Sequence, residues 1–216
     1  MVYDPDLPPE YQPDPEPECS EKAVVKLVPE MPECSDRYKA KHHGGTRPAS
    51  QIRLVVLHST EGDTAEGAAG WFANDASAGS AHIVVDDNAC FRTLHDDVIP
   101  WGAQGDRANE DGLHLEMAGF AKRSRDEWLA HRETLRKGAA VVANWANKYG
   151  VPLKFLNDVD LRRMGNSARG VTTHAAITRA FSIAGGHTDP GVGFPLDVFF
   201  DLAGGEVPPS GGGGIV

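Results

Sequence analysis

The chain has 216 residues, a net charge of −10 at neutral pH and 40% apolar residues. That length holds one domain with a core and leaves room for tails. The lack of any apolar run of about 18 residues excludes a membrane-spanning helix, and the acidic balance argues against a nucleic-acid partner, which requires a basic face. Three cysteines, Cys19, Cys34 and Cys90, are too few and too scattered for a disulfide framework or a cysteine-rich zinc cage.

In chain order, residues 1–45 hold more than half of the fifteen prolines and an acidic excess. They are expected to form a largely extended or disordered tail, with the apolar patch Ala23–Val28 available as an edge strand. Cys19 and Cys34 are expected there as free thiols in a reducing cytoplasm, with a bond between them the alternative in an oxidising compartment. The acidic, proline-rich start lacks the basic and apolar segments of a secretory signal. The main domain is expected over 46–203. Gln51–His58, short, β-branched and apolar, reads as a buried strand. Thr64–Asn74 reads as a helix capped by Asp63 or Thr64, with Ala68, Trp71 and Phe72 inward.

Ala81–Asp86 and Cys90–Leu94 read as strands joined by the turn D-D-N-A, and Leu113–Met117 as a further short strand. Arg125–Tyr149 is expected to be the longest helix. Leu135, Ala139, Val142, Ala146 and Tyr149 recur there at helical spacing, and Gly150 with Pro152 stops it. Residues 151–172 read as a long loop, Leu196–Leu202 as a final helix behind Pro195, and 204–216 as a glycine-rich flexible tail. Strands mixed with covering helices give an α/β domain with a central mixed sheet.

The chemistry concentrates in two places. His58 closes the first strand, where a strand passes into a loop. The stretch from Val171 to Pro195 then carries His174, His187 and Asp189. Imidazoles with a carboxylate are the set Zn²⁺ takes when one position stays open for water. His187 and Asp189 are two apart, so an extended backbone turns both toward one cavity. The proline after Asp189 restricts its backbone to extended conformations. The spacing leaves open whether His174 or His187 is the second ligand.

Five segments occur in a particular order: L-V-V-L-H-S-T at 54–60, S-A-H-I-V-V-D at 80–86, I-P-W-G-A at 99–103, G-L-H-L-E-M-A-G at 112–119 and H-T-D-P-G-V-G-F-P at 187–195. Over about residues 50–203 the chain thereby resembles the zinc-dependent N-acetylmuramoyl-L-alanine amidases of the type-2 amidase and peptidoglycan-recognition-protein fold. Within them it is most similar to amidase domains of endolysins from phages of actinobacteria. The resemblance implies Zn²⁺ held by His58, His174 and Asp189, Glu116 as general base, and His187 as the donor that steadies the oxyanion, where many relatives carry lysine. It implies substrate contacts at Trp101, His82 and Asn109, His82 being structural or groove-lining and Asn109 shaping its loop. Trp101 aligns with the tryptophan of an A-W-H motif whose histidine is here Gly102, a departure that removes a side chain from the rim. His42, His43, His95 and His131, in polar surroundings, read as surface histidines.

The implied partner is bacterial peptidoglycan, acted on by a monomer with no membrane insertion. The implied setting is synthesis in a host cytoplasm followed by release through a separate membrane-permeabilising holin. Two alternatives keep the fold: a non-catalytic peptidoglycan-binding module, disfavoured because all three ligands and the glutamate are present, and a zinc peptidase cutting within the stem peptide.

Overall fold

Five short, largely buried strands form the centre of the molecule. The computed structural model describes residues 27–103, 106–182 and 186–206. Strand β1 (Leu54–Ser59) lies between β4 (Gly112–Met117) and β5 (Gly170–Thr173), parallel to both. Beyond β4 comes β2 (Ile83–Val85), also parallel, and β3 (Cys90–Arg92) closes that edge antiparallel to β2, giving the order β3-β2-β4-β1-β5. The central strands are buried on both faces; β1 and β2 open on continuous apolar runs, whereas β4 alternates, with Leu113, Leu115 and Met117 on one face and His114 and Glu116 on the other.

The two faces are covered differently. Val55, Leu57, Leu113, Leu115 and Met117 meet Leu135, Val142 and Phe199, from helices α4 (Arg132–Tyr149) and α7 (Leu196–Ala203). On the other face Leu54 and Val56 pack with Ala176 and Ile177 of α6 (His174–Phe181), and Val84 with Ala65 and Ala69 of α1 (Ala65–Phe72). Helices α2 (Asp106–Asp111), α3 (Arg125–Ala130) and α5 (Asp158–Met164) complete the cover. Register decides the rest: His58 is paired with Glu116 and Val56 with His114, so the period-two alternation turns both histidines and the glutamate to the α6 side.

The expected helix over 125–149 is two helices. Ser124 and Glu127 form a reciprocal capping box that starts α3. The chain then leaves helical geometry at His131, with φ −97 and ψ 58. Asp87, in the β2–β3 turn, accepts from His131 Nδ1 and from the backbone N–H and hydroxyl of Thr134, so a residue distant in sequence caps α4. The expected loop over 151–172 contains α5, started by an Asn157–Asp160 capping box, and β5, a strand of four residues made by pairing with β1. In α1, Thr64 rather than Asp63 is the cap; Ala65 and Ala69 centre the inner face, Ala68 and Phe72 pack against it as expected, and Trp71, expected inward, is 53% exposed.

Residues 27–46 are fastened to the domain. Ser35 exchanges backbone hydrogen bonds with Cys90 and Arg92 along the outer edge of β3, and Tyr38 packs edge-on against Phe91 at 5.3 Å. This covers an edge that would otherwise invite pairing with another chain. Cys34 is bonded to Cys90, so the expectation of a free thiol at Cys34, or of a bond to Cys19, is corrected; Cys19 itself lies outside the described residues. Of the apolar patch expected as an edge strand only Leu27 and Val28 are described, and both are exposed and in no strand. Gly204, left-handed at φ 73, ends α7, and 207–216 lie outside the described residues.

Candidate active site

The site forms at the carboxyl ends of adjacent parallel strands, where open α/β sheets place their ligands. His58 is the fifth residue of β1; His174 is the first residue of α6, directly after β5, with Thr173 capping that helix through its hydroxyl. Asp189 comes from the loop before α7 and is tied to α6 by the Ala175 N–H, which donates to its carbonyl at 3.0 Å. The three side chains converge: His58 Nδ1 lies 3.0 Å from Asp189 Oδ2, and His174 Nδ1 lies 3.1 and 3.3 Å from its two oxygens. One potential ligand atom from each falls within 4.8 Å of the others, and all three residues are buried.

Electrostatics follow from that burial. Desolvation opposes charge on Asp189, but the hydrogen bonds of His174 and His58 outweigh it and hold the carboxyl far below the usual range. Desolvation pushes His58 down, toward the neutral ring that a metal needs. Glu116 moves the other way: burial, with the negative charges of Asp189 and Glu61 added, raises its carboxyl to about 8. Two buried polar atoms here have no hydrogen-bond partner, Nε2 of His174 and Oε2 of Glu116. Unpartnered buried groups call for an explanation, and two of them beside the His58–His174–Asp189 convergence are consistent with a ligand there. Two imidazoles and one carboxylate fit Zn²⁺ with an open position, and among the described residues the two cysteines are bonded to each other.

His187 stands beside this cluster. Its ring stacks on His174 at a centroid distance of 4.0 Å and its Nδ1 is 3.9 Å from Asp189 Oδ1, so it faces the same cavity from a partly exposed position. Desolvation and the nearby His174 lower its pKa, favouring the neutral ring at pH 7.

The three expected substrate contacts fare differently. Trp101 is 46% exposed at the rim and stacks on His42. Asn109 spends its amide on the rim loop, accepting from the N–H groups of Gly102 and Ala103 and donating to the Ala103 carbonyl, so it shapes that loop. His82 is fully buried: its Nδ1 accepts the His114 N–H, its Nε2 meets the Val98 carbonyl, and burial depresses it to about 3. A ring enclosed in this way cannot line a groove or touch substrate, so of the two readings for His82 the structural one holds and the substrate contact is corrected.

Three residues went unassigned in the sequence. His114 is enclosed against His58, Arg47 binds four backbone carbonyls beside His82, and Glu61 brings a second carboxylate near Glu116. His114 alone left a signal, standing two residues before Glu116 on the same strand face. A side chain at position 102 would overlap the His114 ring, so the glycine found in place of the A-W-H histidine leaves room for it. Next to the site, a cleft of about 260 Å³ runs from Thr60 and Gly62 past Thr64 to Trp71 and Phe72.

The family profile of N-acetylmuramoyl-L-alanine amidases, Amidase_2, matches residues 48–192, and the chain belongs to that family. Its fold is that of the type-2 amidases. No curated protein matches it in sequence. Among solved structures it is similar to the Staphylococcus aureus hydrolase AmiA in complex with its ligand, at 18% identity and TM-score 0.59, covering 81% of this chain and 82% of that one. It is also similar to a selenomethionine derivative of AmpD, at 20% identity and TM-score 0.53, covering 78% and 93%. A mutant endolysin from Bacillus subtilis matches at 12% identity and TM-score 0.51, covering 80% and 99%. At these identities the likeness speaks to the fold.

Proposed function

We propose that the chain is a phage endolysin that hydrolyses the amide between N-acetylmuramic acid and the first L-alanine of the peptidoglycan stem peptide, with Zn²⁺ held by His58, His174 and Asp189. The observation that carries this is the convergence of those three buried side chains at the strand ends, on the sheet face that also presents Glu116. Bound there, zinc would acidify a water and polarise the scissile carbonyl.

The chain's own residues do the rest. Glu116, whose carboxyl burial raises to about 8, would return to the ionised form with a dication held by the neighbouring His58, His174 and Asp189. Glu116 then takes a proton from the attacking water and hands it to the departing alanine nitrogen. Oxygen from water ends on the lactyl carbonyl carbon, the C–N bond breaks, and a free amine leaves. His187 offers an N–H to the carbonyl oxygen as charge builds on it. The cleft between Thr60 and Trp71, with Trp101 across the rim, offers apolar faces and hydroxyls to glycan and stem peptide. The setting belongs to the same proposal: synthesis in the host cytoplasm and action on the wall after holin-dependent release, as a monomer. The fold shared with an endolysin supports it.

Mass spectrometry of sacculi digested by the purified protein tests the reaction. New L-alanine amino termini with intact lactyl-muramic acid are expected. New termini further along the stem would make it a peptidase, and intact sacculi with bound protein a binding module.

A further inference from the structure

Behind His58 lies a second imidazole that the chemistry above leaves unused. His114 is fully buried, its ring stacked on His58 at 5.0 Å, in a row of three contacts. Its Nε2 is 2.9 Å from the Ala108 carbonyl, its Nδ1 is 3.0 Å from His58 Nε2, and His58 Nδ1 is 3.0 Å from Asp189 Oδ2.

Both ends of that row are acceptors. Two neutral rings carry one proton each, so three contacts share two protons. A carbonyl can only accept, which assigns a proton to His114 Nε2. Its Nδ1 is then a lone pair and accepts from His58 Nε2–H, which leaves His58 Nδ1 as a lone pair facing a carboxylate oxygen. The shortfall lands where His174 also converges, the place where a cation makes it good.

We propose that His114 is a positioning residue: anchored on the Ala108 carbonyl, it fixes the tautomer and orientation of His58 so that Nδ1 points its lone pair at the metal. This rests on the zinc reading of the site. Outer hydrogen bonds of this kind orient metal-binding imidazoles generally, though they more often end on a carboxylate or carbonyl directly. Here a second ring is interposed between ligand and carbonyl. Gly102 belongs to the device, because any side chain there would overlap His114 Nδ1. His82 steadies the strand by accepting the His114 backbone N–H at 2.9 Å.

Zinc affinity, measured by competition with a chromophoric chelator on the full chain, tests the proposal alongside thermal melting of the metal-free proteins. His114→Leu, which keeps bulk but cannot accept, is expected to bind zinc about 10- to 100-fold more weakly. His114→Asn places Oδ1 where Nδ1 was and should stay within a few-fold of the parent. Leucine and asparagine variants that bind as the parent does, or that lose affinity equally, overturn the proposal. If neither variant folds, nitrogen-15 NMR of the zinc-loaded parent decides. His114 and His58 should both carry their proton on Nε2, and a proton on His114 Nδ1 overturns the assignment. A parent that takes up no zinc removes this proposal together with the zinc reading, whereas a zinc-loaded parent with an unaffected His114→Leu removes this proposal alone.

Discussion

Two buried aspartates invite comparison. Asp96 and Asp189 are 9% and 8% exposed, and each carboxyl is held far below its ordinary range against the cost of burial. Around Asp96 every partner is a permanent donor: Arg92 at 2.8 Å, Lys148 at 2.9 Å, the Tyr149 hydroxyl at 2.8 Å and Trp145 Nε1 at 3.2 Å. Around Asp189 the side-chain partners are imidazoles, which donate or accept according to tautomer. A cavity of about 580 Å³ opens beside Asp96, larger than the cleft that starts past His58. Volume therefore does not mark the Asp189 cluster. Asp96 is satisfied and braces α4 against the strand edge, whereas the Asp189 cluster keeps a ring nitrogen without a partner. Unmet hydrogen-bonding capacity, rather than space, separates a site from a brace.

The largest expected effect breaks that contrast directly. Asp189→Asn should lose zinc and fall to background hydrolysis of peptidoglycan. Asp96→Ala should keep full zinc stoichiometry yet cost about 1–3 kcal/mol in denaturant unfolding, because it leaves the buried Trp145 Nε1 without an acceptor while Lys148 remains open to water. A folded Asp96→Ala protein without zinc would erase the distinction between the two carboxylates.

Glu116→Gln comes next: zinc content at parent level and turnover lower by about 10²-fold or more. A variant as active as the parent would show that the proton travels by another group. For His187→Ala, stoichiometric zinc, near-normal substrate affinity and a rate loss of about 10²–10³ are expected, with partial recovery in His187→Lys. A metal-free His187→Ala beside a zinc-loaded His174→Ala would exchange the two histidines as ligands.

The smallest effect is a pH dependence of stability in the metal-free protein. Glu116 rises from an ordinary 4.5 to about 8 in the fold, so folding favours its protonated form. Its contribution is full below about pH 4.5 and is lost as pH rises through about 8. Buried His58, His82 and His114, all lowered, pull the opposite way through the ordinary histidine range. They cancel when the parent is compared with Glu116→Gln. The melting temperature of the parent relative to that variant should fall steadily from pH 5 to 8.5, and a constant difference would mean that Glu116 is ionised throughout.

His58, His174, Asp189 and Glu116 were legible as candidates from the order of the motifs, and the structure brings the first three together and turns Glu116 to the same face of the sheet as His58. The strand ending at His58 and the Thr64 cap were legible too, since apolar runs and caps act through near neighbours. Trp71 lies at the margin of a buried face centred on Ala65 and Ala69 and flanked by Ala68 and Phe72, which leaves it half exposed. The break at His131 needed Asp87, and β5 needed β1 to pair with.

The sequence by itself determined which chemistry the chain could carry: a ligand set, a carboxylate two residues from a histidine, and an α/β alternation. Only the tertiary structure decided that Cys34 meets Cys90, that His82 is enclosed rather than groove-lining, and that the His114 ring fills the space left open by Gly102. The physical reason is range. Helical spacing, caps and turns are set within a few residues, whereas the proton count along the row from Ala108 to Asp189 depends on contacts between groups brought together from a helix, two strands and a distant loop.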